Sequence, residues 1–104
     1  MRVGGMRYKI EIQDFMEVKD KDGFVSREWK TEIETWADII PVSAKEFMSA
    51  REELQNVTSK IYIRYREHIK STMQIKYGER TFKIESVLPD RRGGLITILA
   101  SEVE

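Results

Sequence analysis

One histidine, His68, is all that this chain of 104 residues offers for imidazole chemistry, and it has no cysteine. A Ser-His-Asp triad, a paired-histidine metal site and any thiolate site therefore lack their parts. His68 stands between strand-like stretches among Arg66, Glu67 and Lys70, where an exposed loop residue is expected. Carboxylates are plentiful, and a glycosidase-like pair needs only two at the right separation. Yet Glu32 and Glu34, like Glu52 and Glu53, lie among lysines and arginines on faces expected to be solvated, so no pair is singled out. Gly4-Gly5 and Gly93-Gly94 lack the following Lys-Ser/Thr or helix that a phosphate-cradling loop requires. No catalytic residue, cofactor-binding residue or metal ligand is assigned, and the chain reads as a non-enzyme that needs no cofactor.

The sharper arrangement is Lys60, Tyr62, Arg64 and Arg66. Strand alternation sets these four on one side, while Ile61, Ile63 and Tyr65 turn to the other. Cations interleaved with an aromatic ring on a small barrel suit a nucleic-acid backbone, with the ring stacking a base. Arg91, Arg92 and Lys70 would extend such a patch, or equally serve as turn residues that keep an edge soluble. The plainer reading is a solvated strand face whose cations meet Glu79, Glu85 or Glu11 on adjacent strands. With 18 Lys and Arg against 18 Asp and Glu, the chain has no surplus cations to drive indiscriminate phosphate binding. That balance favours the plainer reading and still leaves room for a local basic face.

The elements that must position these residues are mostly strands. Tyr8, Ile10 and Ile12 alternate with Lys9, Glu11 and Gln13; the pattern slips at Asp14-Phe15-Met16, where a bulge or bend is expected. Asp20-Lys21-Asp22-Gly23 is a turn, and Asp22-Gly23 is a strong hairpin signal. Strand character returns from Phe24 through Ile40, with a break near Thr31 to Glu34, and Pro41 ends it. Ser43 and Glu46 form a capping box, with Val42 and Phe47 as a hydrophobic staple, so one helix is expected over about 44–55. Its stripe of Ala44, Phe47, Met48 and Leu54 is thin and is interrupted by Arg51. A helix this short needs a cover, either the sheet or a neighbouring subunit.

Three strands follow between 57 and 88. Gly78-Glu79 joins the last two as a two-residue loop, and glycine at its first position suits a type II′ turn. Pro89 to Gly94 reads as a turn rich in breakers. Leu95 to Val103 closes the chain as a strand whose Leu95-Ile96-Thr97-Ile98-Leu99 is apolar on both faces, which suggests a central position or one closed into a barrel. The fold class is mainly β: a small antiparallel β-barrel or sandwich of about six to seven strands with one inserted α-helix. Hydrophobic residues make up 40% and charged residues 35%, too apolar for a disordered chain, and 1–104 is expected to be a single domain. No apolar run approaches the roughly 20 residues of a membrane span and no signal-peptide pattern opens the chain. Cytoplasmic synthesis without export and no membrane contact are the simplest expectations.

In order and spacing, the residues resemble the bacteriophage head–tail joining family, the small head-closure or stopper proteins below the portal vertex. The resemblance covers nearly the whole chain. It begins with Gly4-Gly5-Met6-Arg7-Tyr8-Lys9-Ile10, then an Asp/Gly turn, then a tryptophan strand with Trp29 and Trp36-Ala37-Asp38-Ile39. It continues through Pro41-Val42-Ser43-Ala44-Lys45-Glu46-Phe47, Lys60-Ile61-Tyr62-Ile63-Arg64-Tyr65-Arg66, Met73-x-Ile75 and Phe82-x-Ile84-x-x-Val87. Ala44 stands where many relatives carry glycine, and alanine stiffens the insert toward helix.

The resemblance implies a structural virion protein of a tailed bacteriophage or prophage, made in the host bacterial cytoplasm and built into the virion at the head–tail interface. It implies a ring, commonly dodecameric, that closes the DNA channel and provides the tail attachment surface. Its partners would be other copies of itself, the portal or adaptor protein, a tail or tail-completion protein, and passing double-stranded DNA read without sequence specificity. The insert, with Val42, Ser43, Glu46, Phe47, Met48, Arg51 and Leu54, would face the lumen or the neighbouring ring. Lys60, Tyr62, Arg64 and Arg66 would be the subunit or DNA contact. The alternatives are a tail-completion protein of the same connector, or a small-barrel single-stranded nucleic-acid-binding protein.

Overall fold

The computed structural model describes residues 5–42 and 56–103. Six strands run in chain order: β1 Tyr8–Lys19, β2 Val25–Pro41, β3 Ser59–Arg64, β4 Gln74–Tyr77, β5 Arg80–Asp90 and β6 Leu95–Val103. They close into an antiparallel barrel in the order β1-β2-β3-β6-β5-β4, with β4 returning to β1. The helix expected over 44–55, and with it Ser43, Glu46, Phe47, Met48, Arg51 and Leu54, lies outside the described residues.

Alternation decides the interior. Ile10, Ile12, Ile61, Ile63, Ile75, Phe82, Ile96 and Ile98 each sit on the inward side of their strand and are fully buried. Branched isoleucine suits a pleated surface packed on one face, and each such side chain contributes about 1.5–3 kcal/mol by leaving water. Small Ala37 and Ala100 take the inward positions nearest β3 and let the ring tighten there. β6 lies between β3 and β5, so its Leu95, Thr97 and Leu99 cover the outer wall while Ile96, Ile98 and Ala100 fill the core.

Two register shifts help the sheet curl. Ile12 faces Ile33 and Gln13 faces Thr31, so Glu32 is an extra residue on β2. Ile84 faces Ala100 and Ser86 faces Leu99, so Glu85 is the extra residue on β5. Such bulges bend and twist the strand that carries them, as a closed barrel needs. The expected break near Thr31 to Glu34 is therefore corrected: β2 runs unbroken through a one-residue bulge. The slip expected at Asp14-Phe15-Met16 is corrected as well, since these residues pair regularly with Lys30, Trp29 and Glu28. The pattern slips there because β1 has left the barrel and no longer has an inside.

That departure makes an arm. β4 accompanies β1 only from Glu11 to Gln13, and β3 accompanies β2 only from Ala37 to Pro41. Beyond them β1 and β2 continue as a two-stranded ribbon, and the molecule measures 53 × 28 × 23 Å. At its tip the Asp20 carboxylate accepts from the backbone N–H groups of Asp22 and Phe24, both at 2.9 Å. Gly23 there has φ +84°, a conformation that side chains disfavour. At the other hairpin Gly78 has φ +57° while Glu79 stays at negative φ, which is the type II′ signature rather than type I′. The turn expected from Pro89 is narrower than that reading: β5 runs on through Pro89 to Asp90, opposite Ile96 and Leu95. β4 has already ended, so this part of β5 is an edge, where a missing N–H is tolerated.

Candidate functional site

Antiparallel pairing sorts the connections to the two ends of the barrel. At one end β1 leaves and β2 enters by way of the arm, β3 passes into the 65–73 loop, and β5 turns into β6. At the other end lie the start of β1, the Gly78-Glu79 hairpin, the end of β6 and the strand ends that flank the insert. The Val42 N–H donates to the Thr58 carbonyl at 2.9 Å and the Thr58 N–H to the Ala100 carbonyl at 2.9 Å, so the base of the insert is tied to the sheet. Val42 is half-buried and Val57 is buried.

The four residues expected to form one strand face are divided by this geometry. Lys60 lies toward the insert end and is half-buried. Tyr62 points outward between Asp38 and Thr97, yet is only 4% exposed, so its ring offers no open face for stacking a base. Arg64 and Arg66 are exposed at the arm end. The pairing expected with Glu79, Glu85 or Glu11 is corrected: the neighbours of β3 are β2 and β6, and none of those carboxylates is on them. Glu11 accepts instead from the Thr31 hydroxyl at 2.7 Å, and Glu85 from the Ser101 hydroxyl at 2.9 Å.

What meets Arg64 is a turn distant in sequence. The Tyr65 N–H donates to the Gly94 carbonyl at 2.8 Å and holds the β5–β6 turn beside the end of β3. Arg91 Nε donates to the Tyr65 hydroxyl at 2.8 Å, its guanidinium carbon 5.7 Å from the ring centroid. The Asp90 carboxylate is turned inward to accept the Gly93 N–H at 2.9 Å. Arg64, Arg91 and Arg92 are all exposed, with Arg91 on the Tyr65 side of the chain and Arg64 on the opposite side of the strand by alternation. Two shallow clefts of about 320 and 350 Å³ flank the adjoining loop, the first against Val87, Pro89 and Ile96, the second against Glu32, Ile33 and Met73. His68 lies in this loop, strongly exposed, with φ +69° and Glu67 at 3.9 Å.

The arm is the second conspicuous surface. Phe15 and Trp29 pack ring against ring at 5.0 Å, with Arg27 over Phe15, yet they remain 46% and 41% exposed. Phe24 at the tip is 71% exposed. Trp29 also overhangs a cleft of about 410 Å³ floored by Ser71 to Gln74 and bounded by Lys83 and Val103. Among the described residues no group of three histidine or acidic side chains gathers where a metal ion could be held.

Arg80 binds Glu102 with two hydrogen bonds, at 2.8 and 3.0 Å. Those bonds hold the Glu102 carboxyl below its usual range, against a smaller opposing effect of desolvation, and raise Arg80. The pair fastens β5 to β6 at the insert end and sits at the surface.

A family model described as phage head completion protein matches residues 1–103. Among solved structures, the solution structure of protein SF1141 from Shigella flexneri 2a has 33% sequence identity and a TM-score of 0.80, covering 98% of this chain and 96% of that one. A chain in the virion of a native gene transfer agent particle has 24% identity and a TM-score of 0.61, covering 91% of this chain and 93% of its own, and shares the fold. No curated protein matches.

Proposed function

Because the chain belongs to the phage head completion protein family, we propose that its copies form a ring in the head-to-tail connector that closes the DNA channel and offers the tail its attachment surface. Membership itself makes the protein a structural component of the phage particle at the head–tail interface, in contact with other head and tail components. Such a role suggests a non-enzyme. A chain of the same fold in a gene transfer agent virion is in keeping with it.

The observation that carries the finer reading is the unlikeness of the two barrel ends. A joining piece needs different faces toward its two neighbours, and here one end bears the arm, the 65–73 loop and the β5–β6 turn while the other bears the insert and the 78–79 hairpin. Subunits joined head to tail by unlike surfaces close into rings when the rotation permits. The exposed aromatics of the arm are the kind of surface that assembly covers. In this reading the ring is a dodecamer, with the portal or adaptor on one side and a tail or tail-completion protein on the other. The insert from Val42 to Leu54 faces the lumen or the next ring, and the outer face of β3 at Lys60, Tyr62, Arg64 and Arg66 is a subunit or DNA contact.

Particles assembled without the protein test this. Filled heads that lose their DNA or accept no tail are expected, and complementation with a chain lacking 44–54 should reproduce the defect. Sealed, tailed, infectious particles would refute the reading. Normal heads with defective free tails would assign the protein to tail completion instead.

A further inference from the structure

We infer that Phe24, at the tip of the arm, seats in the cleft beneath Trp29 of a neighbouring copy of the same chain. The inference rests on the reading of the protein as a ring, and names the two parts of the surface that meet when one subunit joins the next.

The knob is the first argument. Phe24 is 71% exposed, more than any other large apolar side chain among the described residues. Its backbone is nevertheless fixed: its N–H donates to the Asp20 carboxylate at 2.9 Å and its carbonyl accepts from the Asp20 N–H at 3.0 Å. An aromatic ring on a held backbone loses little freedom on burial, as a binding anchor requires. Trp36 and Leu88 are also exposed, yet both lie within paired strands of the barrel and project from no tip.

The hole is the second. Trp29 roofs a cleft of about 410 Å³ whose lining includes Met73 and Val103, with Lys83 at its side. An apolar cavity of about 150 Å³ already holds a benzene molecule, so a cleft of this size has room for the Phe24 ring with Val25 beside it. Four residues of paired strand lead from Trp29 to Val25, and at about 3.3 Å each they hold the tip about 13 Å away. No copy can therefore fill its own cleft.

Charge is the third. The 20–22 turn before Phe24 carries two carboxylates and one lysine, while the cleft carries Lys83 and no acid. Neither Asp22 nor Lys83 makes an ion pair among the described residues. Docking brings the acid of one copy toward the cation of the next, which favours this register over one that opposes like charges. A knob and a hole at different places on one chain make a heterologous contact, which repeats from copy to copy and closes into a ring when the rotation permits. A face that served only a head or tail protein would not need its complement on the same molecule.

The chain has no cysteine, so a pair placed on the two surfaces reports their contact alone. Lys21→Cys marks the tip and Ser71→Cys the cleft, and a disulfide between them needs Cα atoms within about 7 Å. The double variant is oxidised both as concentrated purified chain and in particles that carry it, with circular dichroism confirming the fold. A ladder of chains joined through 21–71 disulfides, identified by peptide mass spectrometry, is expected in at least one of the two. Adding Phe24→Ala should lower the yield of that disulfide about tenfold, as for a central anchor. Lys83→Asp should lower it too, and Asp22→Lys on the same chain should restore it. No 21–71 disulfide in either sample, a ladder that survives Phe24→Ala undiminished, or a Lys83→Asp loss that Asp22→Lys deepens would each overturn the inference. A disulfide from Ser71→Cys to a head or tail protein in place of the ladder would overturn it as well, by giving the cleft to that partner. Particles sealed by this chain without the ladder would leave ring closure standing, so the two readings fail separately.

Discussion

β1 holds both kinds of environment found in this molecule. Ile10 and Ile12 are completely buried, while Phe15, three residues later and no less apolar, is nearly half exposed. The difference lies in the neighbours rather than in the residue. From Glu11 to Gln13 the strand has partners on both edges, and up to there it has a closed core behind it; past Gln13 it has β2 alone. A two-stranded ribbon has no interior and draws little stability from its own contacts. The barrel is therefore the folding unit, and the arm is exposed surface that the proposed assembly would cover.

The largest effect expected from this division is on the barrel side. Phe82→Ala removes a fully buried ring and should cost about 3–5 kcal/mol in urea unfolding, enough to threaten the fold. A cost below about 1 kcal/mol would mean that the interior is not packed as described. Next comes a matched pair of glycines, Gly78 at φ +57° in the barrel and Gly23 at φ +84° in the arm, both with open space where a Cβ would go. Gly78→Ala should cost about 1–2 kcal/mol globally. Gly23→Ala should leave the unfolding midpoint nearly unchanged, because arm pairing can fray without opening the barrel. Equal losses would join the arm to the cooperative unit and erase the distinction.

Trp29→Ala sharpens the comparison from the other side. Losing its ring contact with Phe15 should cost about 0.5–1.5 kcal/mol or less in stability, while incorporation into particles should fall severely. Smallest is the pH effect of the Arg80–Glu102 pair. A carboxyl whose folded-state pKa is depressed adds stability above its unfolded-state value and loses it as pH falls through the folded value. The wild type should therefore exceed Glu102→Gln slightly in Tm near pH 7, and the gap should close below the usual carboxylate range of about 4. A gap that persists in acid would give the glutamine variant's loss another cause.

The sequence disclosed what depends on local pattern. The II′ hairpin at Gly78, the inward isoleucines, the central β6 and the stop at Pro41 all follow from alternation and turn chemistry over a few residues. What it hid depends on partners far along the chain. Phe15 and Trp29 are apolar in type, and only the early ending of β3 and β4 leaves them exposed. Tyr62 faces outward as alternation requires, but its burial is a tertiary fact that strand periodicity cannot supply. The β5–β6 turn is held beside the end of β3 by the Tyr65–Gly94 and Arg91–Tyr65 bonds, across 26 positions of sequence in the second case. Arg91 and Arg92 read in the sequence as an extension of a β3 face or as turn residues; that Arg91 is held on the Tyr65 ring needed the barrel's closure. For the family, order and spacing of motifs sufficed.

The most direct test of the account is an electron cryomicroscopy reconstruction of the head–tail junction in particles that carry this protein. The account predicts a closed ring of barrels at that junction, with the arms reaching onto neighbouring components. Barrels found anywhere but the junction, or a junction ring whose arms stand free in solvent, would contradict it.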